Sequence, residues 1–217
     1  MHNPFAYITP RENEKIIDRV GVYKGLESKI LETLEKGNII LLEGDYGSGK
    51  SLLVQKLNAN LKEKIKIINL NFTGIILNDL RKLPLEKKRE ILVIIDSFDF
   101  IKSLNENDFK KVLDLIIELK NRGLSFLLLI NKQTIKMIEK VSRRFKKESY
   151  VISIPPLDYR FSRELILSRL NEVKDKKGSS ILFSEKEMKE IWRNSRGNPR
   201  MLLLLCENLF ERKIKEA

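Results

Sequence analysis

Residues 44–51 read GDYGSGKS and satisfy G-x-x-x-x-G-K-[ST] at every fixed position. The flanks supply the context that the pattern requires. NIILLEG (38–44) is a short apolar run closed by a glycine turn, which predicts a buried strand. Residues 50–63 place Leu53, Leu57 and Leu61 on one face of a helix. Strand, glycine-rich turn and helix together predict a phosphate cradle. Gly44, Gly47 and Gly49 let the backbone curl, so that the N–H groups around Ser48, Lys50, Ser51 and Leu52 turn inward toward phosphate oxygens. Lys50 adds a point charge between the outer two phosphates, and the Ser51 hydroxyl can ligand Mg²⁺. ATP with Mg²⁺ is the expected ligand.

The next apolar run, ILVIIDSFDF (91–100), ends its strand on Asp96. That strand is expected beside the one feeding the cradle, with Asp96 holding magnesium through the ion's water shell. The following residue, where a Glu commonly prepares a water for attack, is Ser97. A serine hydroxyl is a poor proton acceptor at neutral pH, so slow hydrolysis is expected. Asp99 is the nearest other carboxylate. It reads either as the group that positions the water or as a cap or turn residue. Asn131 ends the strand LSFLLLIN (124–131), as a contact to water or γ-phosphate or as a plain turn residue. Arg200, in GNPR (197–200), is a candidate phosphate sensor or a surface arginine.

Apolar strands recur at 65–72, 91–96, 124–131 and 150–154, with amphipathic stretches such as 107–123 between them. Strands that are apolar throughout and separated by helices predict a parallel sheet covered on both faces. Beyond Pro155-Pro156 only helices are expected. One is RFSRELILSRLNEVKDKK. A second opens with a capping box at Ser184 and Glu187 and closes at Gly197. The last has Asn198 as N-cap and Pro199 at its first position. The expected fold is a three-layer α/β core of the P-loop NTPase type over 1–155, with a small helical lid over 156–217.

The chain has 217 residues and 42 Lys+Arg against 30 Asp+Glu, a formal net charge of +12. This balance favours anionic partners, and RKLPLEKKR (81–89) and RRFKK (143–147) are the clusters that could serve them. An abundance of lysine throughout is the plainer explanation. No apolar run approaches the roughly 20 residues of a membrane span, and the amino terminus lacks the apolar core of a signal peptide. A cytoplasmic protein is therefore expected. Cys206, the single cysteine, lies in an apolar helical run and is expected to pack in a core.

GDYGSGKS, IIDSFDF, Asn131 and GNPR fall in the order of Walker A, Walker B, sensor 1 and sensor 2 of AAA+ ATPases. The chain most resembles the archaeal initiator (origin-recognition) branch and the related STAND ATPases. VGVYKGLESKILETLEKGNIILLEG is similar to the lead into the cradle in both, with Val22 where relatives usually carry Arg. D-S-F-D resembles the NACHT type of STAND protein, which implies the hydrolytic role for Asp99. GNP resembles the Gly-x-Pro of STAND proteins, whereas Arg200 fits the AAA+ sensor. An arginine finger toward a neighbouring subunit is implied near Arg143 or Arg144, which otherwise read as a solvated basic face. The implied function is an ATP-dependent switch or motor acting on nucleic acid, with homo- or hetero-oligomers or a protein partner in view. The alternative is a nucleotide-controlled scaffold with little or no hydrolysis. A small-molecule kinase ranks last, because no arginine-rich lid is apparent.

Overall fold

The computed structural model describes residues 3–5, 25, 28, 30–33, 38–61, 65–72, 75–84, 91–171 and 183–216. Val22, residues 62–63, the 85–89 part of the first basic cluster and the 172–177 end of the first lid helix lie outside the described residues. The chain forms two compact units, Val22–Ile154 and Met1–Gly21 with Pro155–Ala217.

In the first unit five strands form one parallel sheet: β1 (Ile39–Glu43), β2 (Lys66–Asn71), β3 (Ile91–Asp96), β4 (Leu124–Ile130) and β5 (Ser149–Ser153). Their order is β2-β3-β4-β1-β5. The three central strands are nearly wholly buried, as their continuous apolar runs require. Asp96 was expected beside the strand that feeds the cradle. Instead β4 lies between β3 and β1, pairing with both. The two apolar runs carry no information on which neighbours which, because every one of them can be central.

Six further elements accompany the sheet: α1 (Lys50–Leu61), α2 (Ile76–Arg81), a 3₁₀ turn (Phe98–Ser103), α3 (Glu106–Asn121), α4 (Lys132–Val141) and α5 (Arg143–Lys147). Leu53, Leu57 and Leu61 are buried on α1 as their spacing predicts. α3 starts on Asn105, whose side chain accepts from the Asp108 N–H. Gly123, at φ +99°, follows its end. α2, α4 and α5 are additions to the sequence reading. α4 and α5 are anchored by Thr134, Ile138 and Phe145, each fully buried.

The second unit holds α6 (Tyr159–Asn171), α7 (Glu185–Ser195) and α8 (Pro199–Glu216). The capping box on α7 is present in both directions. Asn198 caps α8, its side-chain oxygen accepting from Met201 N at 3.1 Å. Cys206 is fully buried in this unit's core, where desolvation pushes its thiol pKa up. Phe5 packs there too, stacked on Phe183 at 5.7 Å and edge-on to Phe210 at 6.0 Å. Phe5, expected in the core at 1–155, thus packs with the helices. Among the described residues no helix is long and apolar enough to cross a membrane.

Candidate functional site

The sheet order places three chain ends side by side at its carboxyl edge. β1 runs into the glycine loop, β4 ends at Asn131, and β3 ends at Asp96. In open parallel sheets this edge is where ligands bind. The loop leaves β1 with the Gly44 N–H bonded to Ile130 O at 3.1 Å, which ties it to β4. Gly47 and Gly49 take positive φ values of 81° and 96°. The Ser48 N–H donates to Asp45 O at 3.1 Å, whereas its side-chain oxygen is buried without a partner among the described residues. A Cβ on Gly44 would stand 2.4 Å from that oxygen. The loop is therefore wound as tightly as side chains allow around a polar atom in need of a partner, which suits a phosphate cradle.

Lys50 folds back over the loop, its Nζ donating to Gly44 O at 2.5 Å and Asp45 O at 3.1 Å. Partial burial lowers its pKa, and Asp99, Asp96 and Asp45 oppose that shift, Asp99 most strongly. The Ser51 hydroxyl donates to Asp96 Oδ2 at 3.0 Å, and the Ser97 N–H donates to Asp96 Oδ1 at 2.6 Å. The first and last members of the expected magnesium site are thus joined across the sheet edge. Leu52 lies in the first turn of α1, one residue beyond Ser51.

Ser97 has φ 56° and ψ 29°, a left-handed conformation. For a residue other than glycine this costs roughly 1 kcal/mol or more. The turn opens the 3₁₀ segment that brings Asp99 back toward the site. Asp99 Oδ1 accepts from the Asn131 N–H at 2.8 Å and from the Thr134 hydroxyl. Asn131 is the N-cap of α4: its side-chain oxygen accepts from Thr134 N at 3.0 Å and lies 3.1 Å from the Thr134 hydroxyl oxygen. The structure shows the capping side of these two readings. Asn131 is the cap and Asp99 holds the cap residue's N–H, while Asp99 Oδ2 and Asn131 Nδ2 carry no hydrogen bond among the described residues.

Thr134 was not singled out from the sequence. Its signal is N-x-x-T, a cap residue followed by a hydroxyl at the third helical position. Replacing Thr134 by Val keeps the shape and removes the hydroxyl that joins Asp99 to Asn131. A partly buried carboxylate oxygen loses one of its two donors, so a destabilisation of about 1 kcal/mol is expected. Chemical denaturation would read this as a lower midpoint at an unchanged slope.

Arg200 belongs to the other unit, exposed in the first turn of α8. Arg143 and Arg144 are exposed on α5, and Arg144 Nε pairs with Glu148 at 2.9 Å.

Three comparisons place this arrangement among known proteins. The ORC1 protein of Aeropyrum pernix, solved in complex with DNA, matches with a TM-score of 0.60 at 17% identity, over 88% of this chain and 61% of that one. The ORC2 protein of the same organism, solved as ADPNP-ADP complexes, matches with a TM-score of 0.57 at 14% identity, over 96% of this chain and 65% of that one. This chain thus spans less than two thirds of either protein. Domain III of the Thermotoga maritima replication initiation protein DnaA matches with a TM-score of 0.54 at 18% identity, over 83% of this chain and 79% of that one. These likenesses establish the α/β P-loop fold of the AAA+ type. No curated protein matches the sequence significantly. The profile of Novel STAND NTPase 3 matches residues 24–172, more than half of the chain and all of the core site. With its cradle, its strand-end aspartate and its five-stranded parallel sheet, the chain belongs to the Novel STAND NTPase 3 family.

Proposed function

We propose that this protein is an ATP-dependent switch that binds Mg²⁺-ATP, hydrolyses it slowly and acts on nucleic acid. The observation that carries the nucleotide reading is the convergence of Lys50, Ser51, Asp96 and Asp99 on one sheet edge, with the Ser51 hydroxyl 3.0 Å from Asp96 Oδ2. The partnerless Ser48 oxygen and the tight Gly44 turn fit a phosphate chain. Ser51 and Asp96 would hold the magnesium, which would supply charge neutralisation at the phosphates. Lys50 would exchange its loop carbonyls for phosphate oxygens. Asn131 Nδ2 and Arg200 are the candidate donors that register the third phosphate.

Asp99 is the proposed water-positioning carboxylate. One oxygen is committed to the start of α4 and the other is available, so the side chain is held in place while it acts. This favours slow turnover, on the order of 1 s⁻¹ or below. The same commitment supports a second reading, in which the nucleotide sets an assembly state with little or no hydrolysis. Arg143 or Arg144 would then serve a neighbouring subunit.

Titration calorimetry with ATP, with and without Mg²⁺, tests the proposal. Saturable binding that strengthens with Mg²⁺ is expected. No binding of Mg²⁺-ATP or Mg²⁺-ADP would overturn it.

A further inference from the structure

We propose that the outer face of α4 and α5 is the strip that takes the phosphate backbone of nucleic acid, independently of base sequence. This places, and rests on, the nucleic-acid reading above. The net charge of the chain is concentrated here. Residues 132–147 carry seven Lys or Arg against one Glu, a net +6 of the total +12 in 16 residues. Lysine abundance throughout the chain does not account for such a concentration.

Lys132, Lys136 and Lys140 recur every fourth residue along α4 and are all exposed. A helix rises 1.5 Å per residue, so these ammonium groups follow one another at intervals of about 6 Å along its axis. Arg143 and Lys147 continue the exposed series on α5. Among the described residues none of these five side chains forms an ion pair. Glu139 is the one exposed acid within α4 and α5, and half-buried Glu148, the C-cap of α5, is taken up by Arg144.

Helix stability alone does not favour this pattern. α4 has Lys132 at its first position and no acidic residue in its first turn, against the preference set by the helix dipole. α3 and α7 follow the preference, with Glu106 and Asp108 in one and Glu185 and Glu187 in the other, whereas α1, α5, α6 and α8 share with α4 a first turn without an acid. The carboxylate that meets the start of α4, Asp99, reaches it at the Asn131 N–H and beside buried Thr134, on the core side. The outer side therefore keeps its positive field. Thr134, Ile138 and Phe145, fully buried, hold the two helices to the core, so the positions from which the cations extend are set in advance of binding. A row of unpaired cations at regular spacing is suited to a polyanion that repeats one charge at a regular interval.

The test is fluorescence anisotropy with a labelled DNA duplex of random sequence and a single strand of the same length, over a series of salt concentrations. The full chain is compared with the triple variant Lys132→Gln, Lys136→Gln, Lys140→Gln. A charge-matched control carries Lys186→Gln, Arg193→Gln and Lys215→Gln. The strip variant is expected to bind at least about tenfold more weakly at low salt. Its slope of log affinity against log salt should fall by about 3, roughly one for each phosphate no longer neutralised. The control is expected to stay within about twofold of the parent, and Glu139→Gln is expected to bind about two- to threefold more tightly. Thermal melting of each variant separates misfolding from a direct effect on binding. Equal weakening of the strip and control variants would overturn this placement and leave the nucleic-acid reading intact. A parent chain that binds no DNA at low salt would overturn both, as would retention only on phosphatidylserine vesicles. Neither outcome bears on nucleotide binding.

Discussion

Replacing Lys50 by Ala is expected to weaken Mg²⁺-ATP binding at least about 100-fold, a loss of about 3 kcal/mol. The size follows from what surrounds the ammonium. Asp45, Asp96 and Asp99 all act on it electrostatically. Without it, a polyphosphate would enter a cradle edged by three carboxylates and backbone dipoles alone. Truncating a close charge partner in a partly desolvated site costs a few kcal/mol, much of it from the charges left behind. The fold itself should not suffer. Burial disfavours the charged form of Lys50, and its bonds to Gly44 O and Asp45 O serve the loop in its present form. Calorimetric titration should therefore show reduced affinity at an unchanged melting temperature. Undiminished affinity would remove Lys50 from the site.

Gly197→Ala is expected to lower the stability of the helical unit by about 3 kcal/mol or more, whereas Gly123→Ala should cost about 1 kcal/mol. Both glycines have positive φ, 71° and 99°. They differ in space. A Cβ on Gly123 meets nothing within 4 Å, but one on Gly197 would stand 2.2 Å from Leu157 O and 2.9 Å from Leu157 N. Leu157 is held by its N–H to Gly197 O at 2.7 Å and by the Trp192 indole N–H to its own carbonyl at 3.0 Å. Moving the backbone to admit a methyl group would break both bonds. The dihedral penalty is common to the two variants, so their difference isolates the steric part. Thermal melting should show a fall of several degrees more for Gly197→Ala. Equal shifts in the two variants would refute the steric account. The glycine of GNPR is thus required by packing, whatever Arg200 does.

The cradle was legible in the sequence because its chemistry demands particular residues at fixed spacing over a few positions. The same holds for the capping box at Ser184 and Glu187 and for Asn198 before Pro199: each is a local device with a local signature. The buried central strands were legible from their continuous apolar runs, whereas 150–154, expected to be buried as well, belongs to the edge strand β5, in which Tyr150 is exposed and Ile152 alone is buried. Their order was not, since Ile91–Asp96 and Leu124–Ile130 are equally apolar and either could have adjoined β1. Ser97 could be recognised as a departure from Glu, but not as a left-handed residue, because a single serine does not announce its φ. The tie from Asp99 to Asn131 and Thr134 spans more than 30 positions and depends on β3 and β4 being neighbours. The place of Phe5 among Phe183 and Phe210 is of the same kind. Local pattern identifies the parts, and long-range pairing decides which of them meet.

That pairing bears on how the site would work. Asp99 answers to Lys50 on one side and to the start of α4 on the other. In Asp99→Asn the amide oxygen can still accept from Asn131 N and Thr134, so the cap survives while the charge is removed. The variant therefore separates chemistry from structure. The most direct test of the account is single-turnover hydrolysis of radiolabelled Mg²⁺-ATP, at saturating protein, by the parent chain and by Asp99→Asn. The account predicts slow but measurable cleavage by the parent, a fall of about 100-fold in Asp99→Asn, and ATP affinity within a few-fold of the parent. Equal rates in the two proteins would contradict it.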